Sequence, residues 1–180
     1  MFTSSSIIMK ASRLAIVFSF LMSYSCVHKG TAHKVDPAAI SLNDKAVALI
    51  MTFSGNKDSS NKAIALLDSA TSIDSNYFLG FYNKLMFLDE LGFFDKAINT
   101  VNNLIRIRPN ANDLYLTRGM LYAKTKDSAA GNIYFKKCLS ICNSILDTMN
   151  EKNKNYYFLS MNRAISIILL GDSTKGQSFT

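Results

Sequence analysis

The chain has 180 residues, 48% of them hydrophobic and 18% charged, a composition too apolar for a disordered protein and sufficient for one domain plus a targeting segment. Only two prolines and eight glycines occur, and apolar residues recur at three- and four-residue spacing without sustained alternation, so an all-α fold is predicted and a sheet is not needed. The formal charge of +7 falls to +5 once residues 1–25, with Lys10 and Arg13 and no acid, are set aside; the remaining basic residues are scattered rather than gathered in a stripe, which excludes nucleic acid as the expected partner.

The first element is a targeting segment. Met9 to Arg13 form a short basic start, Leu14 to Met22 an apolar run of nine, and Ser23 to Cys26 an exit of small residues, the layout of a secretory signal. Nine residues fall well short of the roughly 18 that span a bilayer. With Cys26 directly after the exit, the segment resembles a bacterial lipoprotein signal, although Ser23 stands where that motif prefers leucine. The resemblance implies that residues 1–25 are removed, that Cys26 is lipidated, and that the protein sits in the bacterial cell envelope on a lipid anchor. An ordinary cleaved signal and an uncleaved anchor are the competing readings. A polar stretch to residue 41 then reads as a flexible tether; it contains His28 and His33, the only histidines, too few ligands for a zinc site.

Helices are predicted from about Leu42 to Phe53 and from Asn61 to Ile73, then two over Phe81–Asn110. A third pair starts near Asn112, with its second member running from Ser128 to Met149, and a last helix covers Tyr156 to Asp172 before a tail over 173–180. A period of 34 connects them: Ala63, Ala97 and Gly131; Leu67, Val101 and Phe135; Ala70, Leu104 and Cys138; Ile73, Ile107 and Ile141. Such a period marks a helix-turn-helix repeat whose small columns allow close approach. The first helices carry a matching series, Phe81 with Tyr115, Leu85 with Gly119, Leu88 with Tyr122, and Gly92 with Lys126 at the turn. On these residues, and on Phe94, Ala97 and Pro109, the region 42–172 resembles the tetratricopeptide repeat (TPR) family. The resemblance implies an α-solenoid of antiparallel helix pairs, about three repeats and a capping helix.

No constellation for catalysis is present. The sequence has no phosphate-binding glycine run, no HExxH, and no histidine outside the tether to activate a nucleophile. Adjacent Asp89 and Glu90 do not face each other on a helix. An enzyme, a cofactor and a metal are therefore not expected. Cys138 and Cys142 lie four residues apart on one helix face, and packing thiols, an intrahelical disulfide and a metal site are the three readings.

In TPR arrays the first helices line a concave groove. The resemblance assigns to it Leu79, Tyr82 and Met86 from repeat two, Asp113, Leu116 and Met120 from repeat three, and Phe158, Met161 and Ile165 from the last helix. That surface is apolar and methionine-bearing, suited to an apolar or amphipathic segment of another protein, unless the same residues are core. Arg118 and Arg163, at equivalent positions, read as scaffold chemistry. A membrane-anchored scaffold for protein–protein interaction, facing the periplasm, is the expected function. The alternative is homotypic assembly, a dimer through the last helix, where Ile165, Ile167, Ile168, Leu169 and Leu170 are apolar on more than one side.

Overall fold

The computed structural model describes residues 33–52 and 56–176, with side chains to residue 171. Within them seven helices follow one another: α1 Pro37–Thr52, α2 Lys57–Ile73, α3 Phe78–Glu90, α4 Phe94–Ile107, α5 Asn112–Lys124, α6 Ser128–Leu146 and α7 Tyr156–Gly176. No strand occurs among the described residues. The signal segment, Cys26 and His28 lie outside them. Among the described residues no helix is long and apolar enough to cross a membrane.

Local chemistry explains the boundaries. Asp36 accepts a hydrogen bond from the Ala38 amide at 2.7 Å, and Pro37 occupies the first helical position, where a missing amide hydrogen costs nothing. Asn56 and Asp127 cap α2 and α6 in the same way, each accepting an amide at 3.0 Å. The helix therefore starts at Pro37, inside the stretch expected to be a flexible tether, and five residues ahead of Leu42.

The ends of α3 and α5 are built alike. After α3, the Phe93 amide bonds the Leu88 carbonyl at 2.8 Å and the Gly92 amide bonds Asp89 at 3.1 Å. After α5, Asp127 and Lys126 bond Tyr122 and Ala123 at 3.0 and 3.1 Å. Both turns need a left-handed residue. Gly92 supplies it at φ 78°, whereas Lys126 adopts φ 64° with a side chain attached.

Helices α2, α4 and α6 carry the 34-residue columns, and three of the four are core. Ala63, Leu67, Ala70, Ala97, Val101, Leu104 and Cys138 are fully buried, and Phe135 is nearly so. The fourth column departs: Ile73 is 49% exposed and Ile107 and Ile141 are half-buried. Ile73 and Ile107 are the last residues of their helices, and Ile107 still packs against the core between α3, α4 and α5.

Each cluster of core residues joins consecutive helices rather than meeting in one centre. Phe81, Leu85 and Leu88 of α3 pack with Ala97, Val101 and Leu104 of α4 and Leu114 and Leu121 of α5. Leu116, Phe135, Cys138, Cys142 and Leu159 then bind α5 to α6 and α7. Burial of each large side chain contributes about 1.5–3 kcal/mol, collected between neighbours, as in a solenoid. The joint between α5 and α6 is close. An added Cβ at Gly119 would stand 2.5 Å from Cδ1 of the Phe135 ring and 3.1 Å from the Gly131 carbonyl oxygen.

Helix α6 ends at Leu146, three residues before the expected Met149, and it remains longer than α4. Asn150 and Asn153 side chains accept the amides of Lys152 and Asn155 at 2.8 and 2.9 Å, which folds the polar turn before α7.

Candidate protein-interaction surface

The odd-numbered helices form one layer and the even-numbered ones the other. Polar contacts connect the members of the first layer. Asn83 of α3 donates to Asn43 of α1 at 2.8 Å, and Asn162 of α7 donates to Asn112 of α5 at 2.6 Å. Between α3 and α5 the connection is ionic: Lys124 meets both carboxylate oxygens of Asp89, at 2.5 and 2.7 Å. Asp89 is thus a partner in an ion pair and not a freely solvated acid. Asn43, Asn112 and Asn162 are buried, and each amide pair contributes about 1 kcal/mol net. These ladders were not read from the sequence, although asparagine in a helix interior, against its propensity, is a visible signal.

The expected groove residues divide by burial. Leu79 and Met161 are exposed, at 38% and 43%. Tyr82, Met86 and Phe158 are half-buried. Leu116, by contrast, belongs to the core between α5, α6 and α7, and Met120 and Ile165 pack against that same cluster. Met120 and Ile165 are nonetheless half-buried, like Tyr82, Met86 and Phe158.

Asp113, the remaining expected groove residue, lies in the first turn of α5. It is half-buried by exposure, yet burial is the dominant influence on its carboxyl, pushing it above the usual range against the pull of the Asp113 and Leu114 amides and the Arg108 charge. Burial and the nearby Asp113 charge push the Tyr82 hydroxyl up to about 12. Phe78 stacks on Tyr82 with centroids 6.4 Å apart, and the Arg108 guanidinium lies 3.8 Å above the Phe78 ring.

Two other groups are scaffold. Arg118 lies 4.2 Å over the ring of Tyr134, which stacks on Tyr122 at 5.4 Å. Cys138 and Cys142 are free thiols, fully buried, with sulfurs 4.0 Å apart. Their shared hydrogen bond and burial hold Cys142 above the ordinary thiol range.

His33, expected in the tether, is docked on the repeat. Its Nε2 lies 2.8 Å from both oxygens of Asp74, which also accept the Asp36 and Asn76 amides at 3.1 and 2.9 Å. Burial pushes the Asp74 carboxyl up, and the bonds from His33, Asp36 and Asn76 outweigh it, leaving it below the usual range. The segment before α1 is thereby tied to the turn between α2 and α3.

A sequence model of the tetratricopeptide repeat matches residues 113–145, the α5–α6 pair. No curated protein matches. Among solved structures, the crystal structure of MamA protein is similar at 24% identity and a TM-score of 0.56, over 63% of this chain and 59% of that one. A second MamA crystal structure matches at 25% identity and a TM-score of 0.52, over 59% and 60%. The TPR2B domain of yeast Sti1, in its pHsp70 complex, matches at 14% identity and a TM-score of 0.52, over 73% and 97%. The chain thus spans about 60% of the length of the MamA chains it matches. The fold is an all-α solenoid of TPR-type helix pairs, a class whose members mediate protein–protein interaction and are typically not enzymes.

Proposed function

We propose that this protein is a lipid-anchored scaffold of the bacterial envelope that holds an apolar or amphipathic segment of another protein along α3, α5 and α7. The observation that carries the reading is the apolar surface of the first helices, where Leu79 and Met161 are exposed and Tyr82, Met86 and Phe158 half-buried, with Asp113 in the first turn of α5. A segment with apolar side chains and one cationic group fits this surface, since a cation beside Asp113 offsets the cost of its burial. The pHsp70 complex of yeast Sti1 supports a protein as the kind of ligand. The anchor rests on the basic, apolar and small-residue run that ends at Cys26, and two or more acyl chains make such attachment stable.

The test places a photo-crosslinking amino acid at Tyr82 or Met86 in cells, with Ala65 on α2 as comparison. Adducts with a distinct protein from the α3 positions and none from Ala65 support the groove; equal labelling overturns it. Incorporation of radiolabelled palmitate, lost in Cys26→Ser, tests the anchor separately.

A further inference from the structure

The chain enters the array at one end of it. His33 lies 2.8 Å from both carboxylate oxygens of Asp74, and the Asp36 amide donates to the same carboxylate at 3.1 Å. The Asp74 side chain is only 6% exposed, so residues 33–36 are pinned where α2 ends and α3 begins, just before Pro37 opens α1. Contacts extend this junction to the next turn. Arg106 of α4 donates to Asn76 at 3.0 Å and to the Ser75 carbonyl, and the Arg108 guanidinium lies over the Phe78 ring. Helices joined by turns of three or four residues run antiparallel. The start of α1 and the turns α2–α3 and α4–α5 therefore share one end, and the turns α3–α4 and α5–α6 the other.

Length decides which end lies near the anchoring residue. Cys26 precedes His33 by seven residues, which span at most about 25 Å whatever path they take. Helix α3, with 13 residues, is about 20 Å long. A lipid on Cys26 holds the Asp74 end at the membrane with length to spare. Presenting the opposite end instead requires the link to run the height of the array at nearly full extension.

The charges agree with the length. At the Asp74 end Lys34, Arg106 and Arg108 are exposed, against Asp36, whose carboxylate caps α1 at the Ala38 amide. Ile73, 49% exposed, stands at the same end, an apolar residue among cations, which suits a lipid interface. The α6–α7 turn sets Asp147 and Glu151 against Lys152 and Lys154 and leaves that balance unchanged. The opposite end interleaves Lys57, Lys96 and Lys126 with Asp58, Asp95 and Asp127, so an anionic leaflet attracts it less.

We infer that the array stands on an anionic bilayer with its Asp74 end down, where Lys34, Arg106 and Arg108 meet the headgroups and the α3–α4 and α5–α6 turns point away. This orientation rests on the lipid anchor at Cys26 and is independent of what the groove binds.

The chain contains no tryptophan, so an introduced one is the sole indole. Asn110→Trp, in the α4–α5 turn, is compared with Glu90→Trp, at the end of α3; both residues are exposed. The full lipidated chain is purified from membranes and reconstituted in vesicles of phosphatidylcholine and phosphatidylglycerol that carry a dansyl-labelled lipid. Energy transfer from indole to dansyl is expected to be several-fold greater for N110W than for E90W. Adding His33→Ala, which releases the link from Asp74, narrows that difference at least twofold with the circular dichroism spectrum unchanged, and vesicles of phosphatidylcholine alone lower the N110W transfer. Protein that floats with the vesicles yet transfers equally from both positions, or more from E90W, overturns the orientation and leaves the anchor standing. A gradient that neither H33A nor neutral lipid alters overturns the part given to the clasp and the cations. Flotation no greater than that of Cys26→Ser removes the anchor, and the inference with it.

Discussion

Gly119→Ala puts the central joint of the array under direct test. Alanine is the better helix former by about 1 kcal/mol, so an unhindered site gains stability. At Gly119 the new Cβ stands 2.5 Å from Cδ1 of Phe135 and 3.1 Å from the Gly131 carbonyl oxygen, against about 3.5–4.0 Å for a relaxed contact. The ring must retreat by about 1 Å, yet Phe135 is only 3% exposed and is held by Leu116, Cys138, Cys142 and Leu159. The carbonyl belongs to the α6 backbone and moves only if the helix does. Overpacking of this kind costs about 1–3 kcal/mol; the upper end applies here, and subtracting the propensity gain leaves a loss of about 2 kcal/mol. Thermal unfolding followed by far-ultraviolet circular dichroism is then expected to shift down by about 5–10 °C. Phe135→Leu in the same chain frees the space, so the double variant is less destabilised than the sum of the singles by about 1 kcal/mol or more. Gly171→Ala, where an added Cβ meets no atom of the described residues within 4 Å, is the control and shows no such loss. A G119A protein as stable as the parent refutes the close approach of α5 and α6.

Further outcomes follow from single residues. Lys126→Gly relieves the left-handed strain at φ 64°, about 1–2 kcal/mol, less the entropy that glycine adds to the unfolded chain, and raises the urea midpoint by the equivalent of about 0.5–1 kcal/mol. Asp74→Asn weakens the bonds to His33 and to two amides and costs about 1–3 kcal/mol at neutral pH. Because the folded Asp74 carboxyl titrates below its unfolded value near 3.9, its contribution is complete above that value and disappears as pH falls through the folded one. Urea unfolding of parent and variant therefore converges in acid. Asp113 has the opposite sign: its folded carboxyl titrates above the unfolded value, so its contribution is greatest in acid and is lost as pH rises through the folded one. Asp113→Asn is expected to unfold at higher urea than the parent at neutral pH and at the same urea in acid.

Asp74 and Asp113 also show where reading along the chain stops. Both are single acids near helix ends with nothing in their neighbours to set them apart; one is covered by a histidine 41 residues away and the other is crowded at the meeting of α3 and α5. Long-range partners of this sort leave no periodic trace. Of the residues assigned to the groove by position, Leu79 and Met161 are exposed and Tyr82, Met86, Met120, Phe158 and Ile165 half-buried. Leu116 was not separable from them by position, because α7 closes over α5 and buries it with Leu159.

The sequence by itself determined the helical repeat. A period of 34 in small and large apolar side chains can be satisfied only by stacking equivalent helix pairs, so the columns at Ala63, Leu67 and Ala70 and their counterparts were bound to face inward. Glycine at residue 92 likewise announced its turn, since the left-handed conformation favours a residue without a side chain. Tertiary structure alone decided which apolar residues of the first helices stay accessible, and which acids are crowded and which are paired. The physical reason is that burial and charge pairing depend on which neighbour arrives, and the neighbour of a helix face lies tens of residues away along the chain.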